Sequence, residues 1–181
     1  MNMIEKRNLS GESVEEYALW LKPDNEVYDV LKRIIDSLSE EYSTYRFEPH
    51  ITVAGRITNP VDDIIKTMEK VASESKPMTL YLTETAYSDS FYRSLFINVA
   101  PNDVLLDLRE QCITELKREH EPYMPHLSLM YKTMDAGVKK KIIERVGKRF
   151  DLVFIPVKLY LMRTTGRPDT WKEISQAPLI T

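Results

Sequence analysis

Two apolar periods take turns along this chain. Tyr17-Ala18-Leu19-Trp20-Leu21 is a short apolar run closed by Lys22-Pro23, the length and punctuation of a strand. After a capping residue at Asp24 or Asn25, the positions Val27, Leu31, Ile34, Ile35 and Leu38 recur at helical spacing and predict a helix with one buried face. A strand follows from His50 to Ala54, with Gly55 as its expected end. Asn59-Pro60 reads as a helix start, and Ile64, Ile65, Met68, Val71 and Ala72 supply that helix's inner face. Two strand-like runs come next, Met78 to Tyr87 and Ser94 to Ala100.

The second half repeats the plan. Asn102 caps a helix whose stripe is Leu105, Leu108, Cys112 and Leu116. A strand is expected from His126 to Tyr131, then a helix burying Val138, Ile142, Ile143 and Val146. Val157 to Arg163 and Trp171 to Ala177 are the last two strands, with Pro156 at a strand start where a missing donor is tolerated. Asp29-Val30-Leu31 leads into the first half's strand much as Asp103-Val104-Leu105 leads into the second's. Hairpin-like neighbours among the strands favour antiparallel pairing. The expected fold class is α+β: two pseudo-symmetric lobes of mainly antiparallel sheet, with outer helices, around a central cleft. No linker separates the halves, so residues 1–181 are expected to form one bilobal domain with motif strands at 50–54 and 126–131.

The repeat carries chemistry. Pro49-His50-Ile51-Thr52 and Pro125-His126-Leu127-Ser128 are copies of one pattern, and they hold two of the chain's three histidines. On a strand, alternate side chains share a face. His50 and Thr52 therefore point together, as do His126 and Ser128, while Ile51, Val53, Leu127 and Leu129 anchor the other side. A lone strand histidine is ordinarily half-buried and hydrogen-bonded, with no further role. Two copies at matching points of two similar halves favour a joint site of two imidazoles and two hydroxyls.

Composition narrows the partner. The 181 residues are 43% hydrophobic, enough for a real core, and the formal net charge of −3 speaks against a broad grip on long nucleic acid. A small anion needs only local donors. The single cysteine, Cys112, cannot close an internal disulfide and points to a reducing compartment. Met1 to Ser13 is polar, without the apolar core of a signal peptide, and no run reaches the ~20 apolar residues of a membrane span. A soluble, cytoplasmic, monomeric protein with no membrane or stable long nucleic-acid partner is expected.

Two imidazoles facing one volume suit in-line opening of a cyclic phosphodiester. One takes a proton from water and the other returns one to the leaving oxygen, as an unperturbed pKa near ~6.5 permits. The Thr52 and Ser128 hydroxyls can donate to the non-bridging oxygens. This chemistry requires no metal or other cofactor. A metal site of two histidines and a carboxylate is the alternative, but neither a His-x-x-x-His spacing nor a cysteine pair supports it. His120, between Glu119 and Glu121, reads as a charged helix end. Trp20 and Tyr92 are candidates to stack on a base or line the cleft, Arg93 and Arg163 are candidate phosphate contacts, and Trp171 is expected in the core.

Four stretches carry a family resemblance. They are Tyr17 to Pro23, Arg46 to Ala54, Pro122 to Tyr131, and Thr170-Trp171-Lys172-Glu173. With them the chain resembles the two-histidine phosphoesterase superfamily, and within it the plant and fungal cyclic phosphodiesterases, over nearly its whole length. The resemblance implies a bilobal fold with a central cleft. It also implies hydrolysis of ADP-ribose 1″,2″-cyclic phosphate to ADP-ribose 1″-phosphate, a late step in handling tRNA-splicing by-products. Nucleoside 2′,3′-cyclic phosphates would be opened to 2′-phosphates. It carries over His50, Thr52, His126 and Ser128, with His126 as the base and His50 as the acid. It also carries over Tyr131 as a site-lining residue, although strand parity alone turns Tyr131 away from His126 unless a bulge or strand end intervenes. An RNA-end 2′,3′-cyclic or 2′,5′-oligonucleotide phosphodiesterase is the alternative enzyme. A non-catalytic nucleotide-binding module is the alternative from another class.

Overall fold

The computed structural model describes residues 14–180. The opening Met1 to Ser13, read above for targeting, lies outside the described residues. In chain order the elements are β1 (Tyr17–Leu21), α1 (Asn25–Glu41), β2 (Ile51–Ile57), α2 (Val61–Glu74), β3 (Leu80–Tyr87), β4 (Leu95–Val99), α3 (Asp103–Glu115), β5 (His126–Met130), α4 (Ala136–Val146), β6 (Arg149–Phe154), β7 (Lys158–Arg163) and β8 (Lys172–Pro178). Short 3₁₀ turns lie at Phe91–Arg93 and Pro168–Thr170. Among the described residues no helix is long and apolar enough to cross a membrane.

Helical stripes went where their spacing put them. Leu31, Ile35 and Leu38 of α1, and Leu105, Leu108 and Cys112 of α3, are buried. Burial raises the Cys112 thiol to about 12, which keeps it an inert core group. The Asn102 side chain accepts from the Leu105 N–H at 2.9 Å and starts α3 as its cap. Both α1 and α3 end in one device. Ser43 and Lys117 take positive φ (50° and 52°), and the next residues, Thr44 and Arg118, donate their N–H to Ser39 and Ile113 at 2.9 Å.

Several expectations need correcting. β6 was not foreseen, although Phe150, Leu152 and Phe154 alternate with Arg149, Asp151 and Val153; it is an edge strand and buries little. Gly55 does not end the first motif strand, which runs on to Ile57. Pro60 caps α2 from outside instead of opening its first turn. In α4, Val138 is exposed and Lys139 is buried in its place, with its Nζ donating to Ser88 O at 2.7 Å.

All strands form one antiparallel sheet in the order β6-β3-β4-β5-β2-β1-β7-β8. The motif strands β5 and β2 meet at its centre, joined only through Ile51 opposite Leu127. From that seam, β5-β4-β3-β6 and β2-β1-β7-β8 run outward as matching halves. The repeating unit is therefore strand, helix, motif strand, helix, strand, and it begins one strand earlier than the sequence suggested. The units also exchange parts. Helix α1 packs on β5, α3 packs on β2, β3 joins the second motif's half-sheet, and β7 and β8 join the first's. Each lobe is thus built from both halves of the chain.

Candidate active site

The two motif strands separate beyond their single joining pair, and the cleft between the lobes has a volume of about 510 Å³. His50, Thr52, His126, Ser128, Tyr131, Trp20 and Tyr92 all line it. The lining also includes Arg93, a candidate phosphate contact, and Trp171, Arg56 and Gly55, which carried no sequence signal for a cleft position.

Each imidazole is oriented by its own strand entry. His50 Nδ1 lies 2.6 Å from Glu48 O, and His126 Nδ1 lies 2.8 Å from Met124 O. A carbonyl only accepts, so Nδ1–H donates in both rings and Nε2 is left for the cleft. The same bond to the carbonyl two residues back, made twice, is the repeat expressed as geometry.

A bulge explains how the later residues come into the site. Opposite β1, Trp20 faces Thr52 and Leu19 faces Ala54, so Val53 is extra. Opposite β4, Phe96 faces Ser128 and Leu95 faces Met130, so Leu129 is extra. Each bulge follows its hydroxyl residue and inverts the parity of what comes next. Val53 and Ala54 are both buried, as are Leu129 and Met130, and Gly55 and Tyr131 then turn into the cleft. The Tyr131 hydroxyl reaches to 3.5 Å from His50 Nε2.

The surroundings of the two rings differ. His50 is buried and lies flat against Trp20, with centroids 3.5 Å apart and planes 7° apart. Burial drives its pKa down to about 3, against the raising effect of the Glu48 carbonyl; His126 and Lys22 lower it further. His126 is half-buried, with Phe96 edge-on at 5.3 Å. Its pKa is also lowered, first by burial and then by Arg93, while the Met124 carbonyl raises it. Ser128 Oγ donates to Tyr92 O at 3.1 Å. Lys22 Nζ bridges Glu48 at 2.6 Å and Glu173 at 3.2 Å, so three of the four resemblance stretches meet beside His50.

This geometry accords with a family model described as cyclic phosphodiesterase-like protein, which matches residues 16–177. The chain belongs to this family. It is a phosphodiester hydrolase of the two-histidine phosphoesterase superfamily. A cyclic phosphodiesterase of Arabidopsis thaliana is 28% identical over 130 residues, 71% of this chain and 72% of that protein. A 2′,3′-cyclic-nucleotide 3′-phosphodiesterase of Yarrowia lipolytica is 27% identical over 143 residues, 73% of this chain but only 64% of that protein. E. coli LigT, solved in complex with 3′-AMP, superposes with a TM-score of 0.64 at 12% identity, over 92% of this chain and 99% of that one, a likeness of fold.

Within this cyclic phosphodiesterase fold, Trp171 is not the core residue expected. It is a half-buried cleft wall, 5.6 Å from Trp20 and 5.9 Å from Tyr131 between ring centroids. Trp20 lines the cleft and gives one face to His50. Arg93 does line the cleft, whereas Arg163 forms a two-pronged pair with Glu15. His120 lies beyond the end of α3 and pairs with Glu110 at 3.2 Å. Arg56, at positive φ (54°) just past the first bulge, carried no sequence signal for a cleft position. Among the described residues no three His, Cys, Asp or Glu side chains gather as a metal site.

Proposed function

We propose that this cyclic phosphodiesterase opens small cyclic phosphates of nucleotides by two-histidine acid–base catalysis without a metal. ADP-ribose 1″,2″-cyclic phosphate would give ADP-ribose 1″-phosphate, and nucleoside 2′,3′-cyclic phosphates would give 2′-phosphates. The observation that carries the reading is the matched pair of imidazoles, each with Nδ1–H spent on a backbone carbonyl and Nε2 left for one cleft that also holds Thr52 and Ser128. The Yarrowia relative's named activity supports the nucleoside arm.

His126 is the more open imidazole and meets water more readily, which suits it as the base. It takes the proton as the water oxygen bonds to phosphorus. His50 donates a proton to the ring oxygen whose bond to phosphorus breaks. Thr52 and Ser128 donate to the non-bridging oxygens as charge builds there. Burial keeps His50 neutral at pH 7, so its proton arrives with the anionic substrate, whose charge raises the pKa of a neighbouring imidazole. The kcat/KM profile is then a bell whose basic limb lies below 6.5, and the kcat profile is displaced to higher pH.

The test is turnover in EDTA of ADP-ribose 1″,2″-cyclic phosphate, adenosine 2′,3′-cyclic phosphate and an RNA ending in a cyclic phosphate, with products identified. Opening of the two small substrates to the named monoesters is expected. Activity abolished by EDTA and restored by a metal, turnover of the RNA end alone, or a kcat/KM that only rises through pH 8 would each overturn the reading.

A further inference from the structure

The most specific of the resemblance stretches, Pro122 to Tyr131, contains a residue that the proposed chemistry leaves unused. Tyr123 lies outside the cleft lining, yet its hydroxyl donates to Thr52 O at 2.9 Å. Arg109 of α3 donates through Nη1 to Val53 O at 2.7 Å and lays its guanidinium over the Tyr123 ring at 4.3 Å. Its Nη2 donates to Glu121 O at 3.4 Å, holding the segment that bears Tyr123. Arg118 donates to Gly55 O. The carbonyls of Thr52, Val53 and Gly55 are those at and around the bulge, where β2 loses regular pairing and its acceptors need other partners.

We propose that Tyr123, Arg109 and Arg118 are positioning residues: together they clasp the bulge of β2 and fix the Thr52 hydroxyl at the angle the reaction needs. The inference rests on the catalytic reading of His50 and Thr52 given above. The repeat supplies an independent argument. Arg118 follows the end of α3, the helix before the second motif, yet it holds the first motif strand. Thr44 follows the end of α1, the helix before the first motif, and donates to Tyr131 O beyond the second motif strand. Gly55 and Tyr131 each stand five residues after their motif histidine. The lead-in to each motif therefore holds the far end of the other, and this reciprocal brace sets the two half-sites relative to each other. Burial raises the Tyr123 pKa well above its ordinary value, so its hydroxyl stays a neutral donor across the working range.

The test is a double-mutant cycle. Tyr123→Phe keeps the ring and removes only the O–H. It should lower kcat by about 10- to 100-fold with KM within about twofold, the size expected when a catalytic group is slightly misplaced. In a Thr52→Ala background the same change should have almost no further effect. Arg118→Gln should behave alike, with Arg118→Lys recovering part of the loss; this pair carries the test if Tyr123→Phe does not fold by circular dichroism. Equal losses in both backgrounds, or wild-type kcat in Tyr123→Phe and Arg118→Gln beside an inactive His50→Ala, overturn the clasp and leave the site reading standing. Full activity in His50→Ala overturns the site reading itself.

Discussion

The two half-sites are copies in backbone and differ in environment. Each has a Pro-His-x-hydroxyl strand, a ring held through Nδ1 by the carbonyl two residues back, and a bulge just after the hydroxyl. Around His50 the neighbours are large and flat: Trp20 on its face, Phe47 and Trp171 at its edges, and Tyr131 across from Nε2. Around His126 the place of Trp20 is taken by Phe96, edge-on. The place of Tyr131 is taken by Gly55, which brings no side chain into the cleft. The repeat thus presents two imidazoles held alike by the backbone, and the flanking residues make their burial unequal. For acid–base chemistry inequality is useful, because one group must hold a proton while the other lacks it.

The comparison breaks most severely if either ring is removed. His50→Ala and His126→Ala should each lower kcat by roughly 10²–10⁴-fold. The double variant should lose far less than the product of the two, since groups acting on one transition state are not additive. Steady-state kinetics on adenosine 2′,3′-cyclic phosphate check this, and a variant at either position with wild-type kcat would remove the paired mechanism.

A second break concerns stability and acid. Folded His50 titrates at about 3, whereas unfolded it returns to about 6.5. Below 6.5 the unfolded chain binds a proton that the folded chain refuses. The contribution is therefore fully present above pH 6.5 and is lost as pH falls towards 3. By pH 4 this amounts to something on the order of 3 kcal/mol. His126 acts in the same direction, with its pKa also lowered. Carboxylates lose stability over the same window in every variant and cancel in a difference. Denaturant unfolding at pH 7 and pH 4 should show a smaller acid loss in His50→Gln than in the wild type. Equal losses would mean that His50 is not held neutral by burial.

Strand parity placed the two His–hydroxyl pairs on one face from sequence alone, because residues two apart need no knowledge of the partner strand. The helical stripes of α1 and α3 were equally plain, since each buries a single continuous face. What could not be read was anything that depends on register. The bulges at Val53 and Leu129 appear only opposite β1 and β4, and they decide that Tyr131 enters the cleft. Trp171 was expected in the core at the start of the last strand; its cleft position follows from β7, which carries β8 on its far edge, pairing with β1 across the whole chain. The exchange of helices and strands between lobes is likewise invisible to periodicity, which reports each element's own face and not its partner.

The contrast between flat and edge-on neighbours can be sharpened at the rings themselves. Trp20→Leu uncovers a face of His50, admits water to the charged form and should raise its titration midpoint by at least about one pH unit. Phe96→Leu removes only an edge contact and should move His126 by less. Imidazole Cε1–H resonances followed by NMR from about pH 2 to pH 8 give both midpoints wherever the protein stays folded. Similar shifts at both rings would mean that the stacking partner does not create the asymmetry.

The smallest expected difference lies between the hydroxyls. Ser128 donates to Tyr92 O, so donating to a phosphate oxygen would exchange one acceptor for another. A net hydrogen bond in such an exchange contributes only about 1 kcal/mol. Thr52 instead sits at the bulge, with its carbonyl taken by Tyr123 and its side chain lining the cleft. In the proposed mechanism its bond to phosphate would gain from that fixed placement. Thr52→Ala should therefore lower kcat by about tenfold or more, and Ser128→Ala by only a few-fold. The reverse order would show that the Tyr92 carbonyl holds Ser128 ready for the transition state instead of competing with it, and the advantage would then belong to the more open half-site.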